Sequence, residues 1–309
     1  MSSSPLRIDW RNFAFAAGIS LVYLLSSFLL IGFKTDQLVL VAVFSTLYLA
    51  SAITRKFVLG FSVFIVFWII FDYMKAFPNY LFNEVSIEQL HEAEVRWFGV
   101  LSHGERVTLS DYFRENNFVW ADILAGLFYL CWIPVPLGFA AFLFFKNRRE
   151  FLYFSLTFLL TNLLGFVVYY TYPAAPPWYV QLHGFTFIAS TPGNTAGLIR
   201  FDQIFHINIF QQLYSKSSNV FAAMPSLHSA YPLLVAVFGI RNKLGMVNVL
   251  FAIITIGIWM AAVYSSHHYL LDVLAGVAVA ILGLVLFFRM MKTDNVGSRF
   301  VNRYVQLIS

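Results

Sequence analysis

Charge is what this sequence lacks most. Of its 309 residues only 11% are Asp, Glu, Lys or Arg, while 60% are hydrophobic and 19% aromatic. An average soluble domain carries roughly 25% charged residues, so a water-soluble domain is excluded and a polytopic membrane protein is expected. Cysteine is nearly absent too. The one thiol, Cys131, lies in an apolar run, which excludes an internal disulfide framework and reads as a small buried hydrophobe. The chain has no Asn-x-Ser/Thr acceptor, and its last residues, Gln306-Leu307-Ile308-Ser309, carry no retrieval signal. Internal repeats and low-complexity segments are likewise missing. The first apolar stretch is too long for a cleavable signal peptide and has no small-residue cleavage site. The net charge of +5 is assigned to membrane topology and not to a nucleic-acid partner.

What the sequence does have is a series of apolar runs. A helix that crosses the hydrocarbon core needs roughly 17–25 apolar residues. Runs of that kind lie near 11–33, 37–53, 57–75, 121–145, 151–172, 225–240, 246–266 and 268–288. They predict an all-α protein with about eight transmembrane helices and both termini on one side. If the N-terminus, 54–56, 146–150, 241–243 and the C-terminal tail are inside, that side holds thirteen of the twenty basic residues. Only three acids, Asp9, Glu150 and Asp294, accompany them. The positive-inside rule then makes this side cytoplasmic. Two outer segments are too long to be turns. Residues 76–120 read as a short helical cap at the interface, with Trp97 and Trp120 as anchors. Residues 173–224, with Gly184, Pro192, Gly193 and Gly197, read as an irregular but ordered loop.

Two histidines about forty residues apart carry the chemistry. His228 sits in Met224-Pro225-Ser226-Leu227-His228-Ser229 and His268 in His267-His268-Tyr269-Leu270-Leu271-Asp272. Each opens an apolar run, and the topology puts both on the exoplasmic face, in a periplasm or an organelle lumen. One helical turn separates His268 from Asp272, which places a carboxylate beside the imidazole. The set suits phosphoryl transfer. His268 attacks phosphorus, Asp272 orients it and stabilises its cation, and His228 moves protons to and from the oxygens. A helix starting at Pro225 offers free N–H groups to an anion, with Ser226 and Ser229 as hydroxyl donors. His267 either binds phosphate or is simply solvated, and solvation is the favoured reading. Adjacent helical residues diverge by about 100°, so a metal shared by His267, His268 and Asp272 is not expected. Asn162 reads as an interhelical hydrogen-bonding residue, and Asp72 and Asp122 as carboxylates reaching water from outer helix ends.

Pro-Ser-Leu-His-Ser and His-His-Tyr-Leu-Leu-Asp resemble the second and third signatures of the type 2 phosphatidic acid phosphatase superfamily. Three further stretches resemble the fungal-type inositol phosphorylceramide synthases, the aureobasidin targets, within it. They are Ala175-Pro176-Pro177-Trp178-Tyr179, the run from Pro192 to Asp202, and Phe221-Ala222-Ala223-Met224. The resemblance covers about 150–290. It implies a six-helix catalytic core at 57–290 carrying the cap and the loop, two additional N-terminal helices in 1–56, and a cytoplasmic tail at 291–309. It also implies His228 as acid/base and His268 with Asp272 as nucleophile and partner. The reaction it implies moves phosphoinositol from phosphatidylinositol to ceramide or dihydroceramide, releasing diacylglycerol, without metal or organic cofactor. The membrane would be a bacterial inner membrane or one of Golgi type.

The departures from the phosphatase pattern bear on substrate. Phosphatases carry an arginine six residues before the nucleophilic histidine, where this chain has Ala262, and a Lys/Arg-Pro signature that Tyr172-Pro173 does not supply. A site stripped of cations suits a singly charged phosphodiester better than a nearly dianionic monoester. Arg200 and, more weakly, Lys216 are the remaining phosphate candidates, and the structural alternative for Arg200 is an ion pair with Asp202. Trp178 and Asp202 complete the substrate-binding set, and Asp72, Asp122 and Asn194 are further partners for a sugar. The loop and the cap are candidates for a lid that keeps water from a phosphohistidine. A lipid phosphate or pyrophosphate phosphatase remains the alternative enzyme. A transporter or scaffold explains the spans but not the histidine–aspartate spacing.

Overall fold

The computed structural model describes residues 10–215, 219–292 and 295–309. It is almost wholly helical. The N-terminal helices are α1 (Trp10–Ile31), α2 (Thr35–Ala50) and α3 (Ala52–Tyr73). The cap follows, with α4 (Glu88–Phe98), a hairpin of β1 (Val100–Ser102) and β2 (Glu105–Val107), and α5 (Leu109–Glu115). Then come α6 (Val119–Leu130), α7 (Pro134–Lys146) and α8 (Arg148–Thr171). The outer loop contains α9 (Pro177–His183), α10 (Ile199–Phe205) and α11 (Ile209–Ser215). The chain closes with α12 (Leu227–Arg241), α13 (Val247–Tyr264), α14 (Leu270–Lys292) and α15 (Val296–Ile308).

Six stretches among the described residues are long and apolar enough to cross a membrane: α1, α3 through Ala76, α6 with α7, α8, α13 and α14. Helices α2 and α12 are apolar but shorter, with 16 and 15 residues. The protein is an integral membrane protein. Burial ranks its helices: 56% of the most apolar window of α8 is buried, against 11% for α1, so α8 is the axis and α1 the periphery. Phenylalanines of α7, α8, α12 and α14, among them Phe139, Phe144, Phe154, Phe238 and Phe287, fill the core around α8. Edge-to-face pairs such as Phe139–Phe154, at 5.1 Å between centroids, set their packing. Helices α1 and α2 rest on α3 through a separate small cluster of Ala16, Tyr48 and Val58.

Three local features depart from the sequence reading. The run at 121–145 is broken at 131–133, where Pro134 and Pro136 open α7 and cannot extend the hydrogen bonds of α6. Cys131 sits at that break, half-buried rather than buried, with its thiol on the Leu127 carbonyl at 3.3 Å. The cap contains a hairpin, turned by His103 and Gly104 at φ 51° and 90°. The outer loop holds three seven-residue helices, and α9 starts on Pro176-Pro177 and stops at Gly184, φ 60°. On the opposite face α15, capped by the Asn295 side chain, packs Val301 and Ile308 inward. It is tied down by Asn302 to Arg149 at 2.7 Å and by Tyr304 to the Leu59 carbonyl at 2.6 Å.

A short ladder joins the outer pieces. Ala174 bridges both Ser86 of the cap and Ala222, just before the first histidine motif. Asn79 reinforces it by donating to the carbonyls of Tyr169 and Phe221 at 2.9 and 2.8 Å. Cap, loop and histidine segment are therefore one fabric.

Candidate active site

Two backbone devices bring the histidines together. At the mouth of α12, Ser226 N–H donates to the Asp272 carbonyl at 2.9 Å. This approach requires Gly276, because a Cβ there would collide with the Ser226 carbonyl oxygen. At the end of α13 the chain turns through Ser266, φ 60°, so that His267 and His268 both donate their N–H to Ala262, at 3.1 and 3.0 Å. The position where phosphatases carry arginine thus lies inside the turn, fully buried.

His228 Nδ1 lies 3.1 Å from His268 Nε2, and Tyr129 Oη lies 3.1 Å from the same His228 nitrogen. On the far side of its ring, His268 Nδ1 is 3.5 Å from Asp272 Oδ2, an ion-pair distance longer than a formed hydrogen bond. Asp272 is fully buried and takes the Tyr269 N–H at 2.9 Å on that oxygen. Its Oδ1 and His268 Nδ1 have no hydrogen-bond partner. Trp132, at the break between α6 and α7, meets the His228 ring edge-on at 4.3 Å. A cavity of about 90 Å³ opens here, lined by His228, His267, His268, Tyr129, Tyr214, Trp178, Asn194 and Asn219. No lysine or arginine lines it among the described residues. Burial pushes the His268 ring down to about 4, against a smaller upward pull from the Ala223 backbone. Burial, then the neighbouring imidazoles, also push His267 well below its ordinary range. Shifts in this direction favour the neutral imidazole, the form that can act as a nucleophile.

The structure gathers some of the expected residues and not others. Trp178 lines the cavity, and its backbone N–H donates to the Ser266 carbonyl at 3.0 Å. His267 is not solvated. It is buried, stacked at 4.4 Å on Tyr214 and at 5.4 Å on Tyr129, with Nε2 3.0 Å from the Thr195 carbonyl. Ser226 and Ser229 turn away from the cavity: Ser226 Oγ caps α12 and accepts from Ser229 Oγ at 3.0 Å. Arg200 does not pair with Asp202. Its Nε contacts Asp122 at 2.6 Å, an oxygen that also accepts from Tyr264 at 2.9 Å. Asp122 is therefore buried in a network instead of reaching water, because α10 lies against α6. Asp202 accepts from the N–H groups of Phe210 and Gln211 at 3.3 and 3.0 Å and so holds the start of α11. Neither Arg200 nor Asp202 lines the cavity. Lys216 lies outside the described residues. Asn162 bridges helices as expected, accepting from Tyr231 at 2.6 Å. Asp72 pairs with Lys75 at 2.8 Å. Among the described residues no three His, Cys, Asp or Glu side chains are grouped to hold a metal ion.

Sequence reading missed Tyr129, Trp132, Tyr214 and Asn219. The aromatics sit in apolar runs where their composition signals only core. Asn219 left a weak signal, two residues before the Phe221-Ala222-Ala223-Met224 stretch. Its Nδ2 is buried at the cavity without a hydrogen-bond partner.

A model of the PAP2 superfamily matches residues 106–286. The chain is 43% identical over 293 residues to the phosphoinositol dihydroceramide synthase of Bacteroides thetaiotaomicron, covering 94% of this chain and 96% of that one. It is 28% identical over 287 residues to the inositol phosphorylceramide synthase catalytic subunit of Saccharomyces cerevisiae, covering 92% and 68%. No solved structure matches the chain. With more than half of its length matched by the family model and a relative aligned almost end to end, the chain belongs to the PAP2 superfamily, in the same family as these synthases.

Proposed function

We propose that this protein is a membrane phosphotransferase that moves phosphoinositol from phosphatidylinositol to the primary hydroxyl of ceramide or dihydroceramide, releasing diacylglycerol. The observation that carries the reading is the meeting of His228 and His268, 3.1 Å apart, at a cavity without a lining cation among the described residues. The names of the relatives support the same head group and acceptor class.

The donor phosphate enters between the two rings, replacing their direct contact. His268 Nε2 bonds to phosphorus, and the bond from phosphorus to the diacylglycerol oxygen breaks. His228, entering the step as an imidazolium paired with the donor's phosphate anion, gives that oxygen its proton and becomes neutral. His268, now cationic, draws on Asp272 behind it. The ceramide hydroxyl then loses its proton to His228 and attacks phosphorus, and the P–N bond breaks to return His268. Asn219, whose Nδ2 is unpaired at the cavity, donates to the head group together with Asn194. Leaving a buried donor without a partner costs about 1–3 kcal/mol, which a bound oxygen recovers. A monoanionic diester needs no fixed cation, a feature that weighs against a phosphomonoester phosphatase. Arg200 supports the site wall from behind, paired with Asp122.

The six helices of 57–290 act as the catalytic unit and 1–56 as an addition. The site faces the periplasm or an organelle lumen, with the cap and outer loop above it, while Arg55, Lys56, Arg148, Arg149, Arg241 and Lys243 mark the cytoplasmic side. Purified protein given labelled phosphatidylinositol and ceramide, with products read by lipid mass spectrometry, should yield inositol phosphorylceramide and diacylglycerol in equal amounts. Phosphate release from phosphatidic acid without any need for an acceptor lipid would replace this reading with the phosphatase.

A further inference from the structure

The cap does more than cover the site. One face of α4 grips the three residues that follow the nucleophile. Leu90 packs in a small cluster with Ala174 and Tyr269. His91 Nδ1 lies 3.1 Å from Tyr269 Oη. Glu94, fully buried, accepts the Leu270 N–H on one carboxylate oxygen at 2.9 Å and the Leu271 N–H on the other at 3.0 Å. The first N–H groups of a helix have no partner within it. Here two of them, 176 and 177 positions along the chain from their acceptor, are satisfied by one side chain. An anion at that end also meets the positive pole of the helix dipole. Burial raises the Glu94 carboxyl, and the two amides it accepts oppose that rise.

The held helix is α14, and its first turn carries Asp272, whose reach to His268 is already long at 3.5 Å. A small rotation of that turn would open the gap further. Glu94 lies outside residues 106–286, the part that the superfamily model matches, so the grip is an addition to that core.

We propose that Glu94 is a positioning residue for the nucleophile: by clamping the Leu270 and Leu271 amides it fixes the first turn of α14, and with it the alignment of Asp272 on His268. Glu94 does not touch substrate. The proposal rests on His268 being the nucleophile, as set out above. Misplacing a reacting group by about 1 Å costs about a hundredfold in rate. Gln keeps one acceptor oxygen and Ala keeps none, which gives a graded series.

The full-length protein in detergent or nanodiscs should be compared with Glu94→Gln, Glu94→Ala and, as a control from the solvent-exposed side of α4, Glu92→Gln. The expected kcat losses are about tenfold for Gln and a hundredfold for Ala, with KM for both lipids within about twofold and the control unchanged. Hydrogen–deuterium exchange over 266–274 is the second readout and needs no substrate. Faster exchange at Leu270 and Leu271 in Glu94→Gln supports the clamp even if the wild-type protein makes no inositol phosphorylceramide, an outcome that would sink the function alone. Unchanged exchange in Glu94→Gln overturns the clamp. So does a kcat within about threefold of wild type in Glu94→Ala, or a loss confined to KM. Should Glu94→Ala fail to fold, the Gln variant decides on both readouts.

Discussion

Two buried carboxylates, Asp122 and Asp272, stand near the outer helix ends and are completed in opposite ways. Asp122, 5% exposed, has a guanidinium at 2.6 Å and a tyrosine hydroxyl on the same oxygen. A guanidinium is always charged. Neither member of that pair lines the cavity, so on the proposed mechanism their attraction is equal in the resting and transition states and gives no rate advantage. Asp272, 0% exposed, faces an imidazole that burial keeps neutral at rest. On the proposed mechanism their attraction appears only when Nε2 of His268 bonds to phosphorus and the ring becomes a cation. An interaction that switches on with the chemistry lowers the barrier. In an interior this poor in charge, the partner's ability to titrate, more than burial, is what would set a catalytic carboxylate apart from a structural one on the proposed mechanism.

The largest effects should come from the switching pair. His268→Ala is expected to lower transferase turnover by about 10⁴-fold or more, and Asp272→Asn by at least about a hundredfold at nearly constant KM, in steady-state assays with both lipids. An Asp272→Asn variant with normal kcat would erase the distinction between the two carboxylates. The fixed pair should fail differently. Arg200→Met leaves Asp122 buried and unpaired and should cost about 3 kcal/mol, seen as a lower unfolding midpoint in detergent. The double change Arg200→Met with Asp122→Leu should recover most of that loss. Were Arg200→Met to stay fully stable yet lose kcat, the guanidinium would belong with the phosphate and not with Asp122.

Acidity sharpens the comparison further. Burial pushes His268 down to about 4 from the free side chain's 6.5. A lowered imidazole contributes stability that is complete above 6.5 and is lost as pH falls toward 4. The acid limb of kcat/KM should therefore lie below pH 5 by about a unit, while the unfolding midpoint already declines beneath 6.5. A limb centred on 6.5 would mean that the resting ring is solvated. The smallest effect concerns neither carboxylate. Ser226→Ala removes the cap of α12 and the acceptor of the Ser229 hydroxyl and should cost about 1–2 kcal/mol of stability, with kcat falling no more than a few fold.

Six of the eight expected spans were legible because an apolar run of twenty residues has few other uses, while α2 and α12 fall short of that length. The run at 151–172 became α8 within three residues at its start and one at its end. The break at 131–133 was hidden because hydropathy averages over it, and the helices of 173–224 because seven residues show too little periodicity. His228, His268 and Asp272, which the fold brings together, stood out through the one-turn spacing of His268 and Asp272 and through Pro225 before His228. Arg200's true partner was not, since Asp122 lies 78 positions away and only the packing of α10 on α6 joins them. Glu94 and Asn219 were invisible for the same reason: each acts through contacts that no local pattern encodes.

The break at 131–133 has one more consequence. It sets the Trp132 indole edge-on against the His228 ring at 4.3 Å. An imidazolium withdraws electron density from an excited indole far better than a neutral ring does. In a chain whose other six tryptophans are replaced by phenylalanine, the emission of Trp132 would dim each time His228 takes up a proton. On the proposed mechanism the molecule thus carries its own optical readout of the proton that passes from ceramide to His228, with no label added.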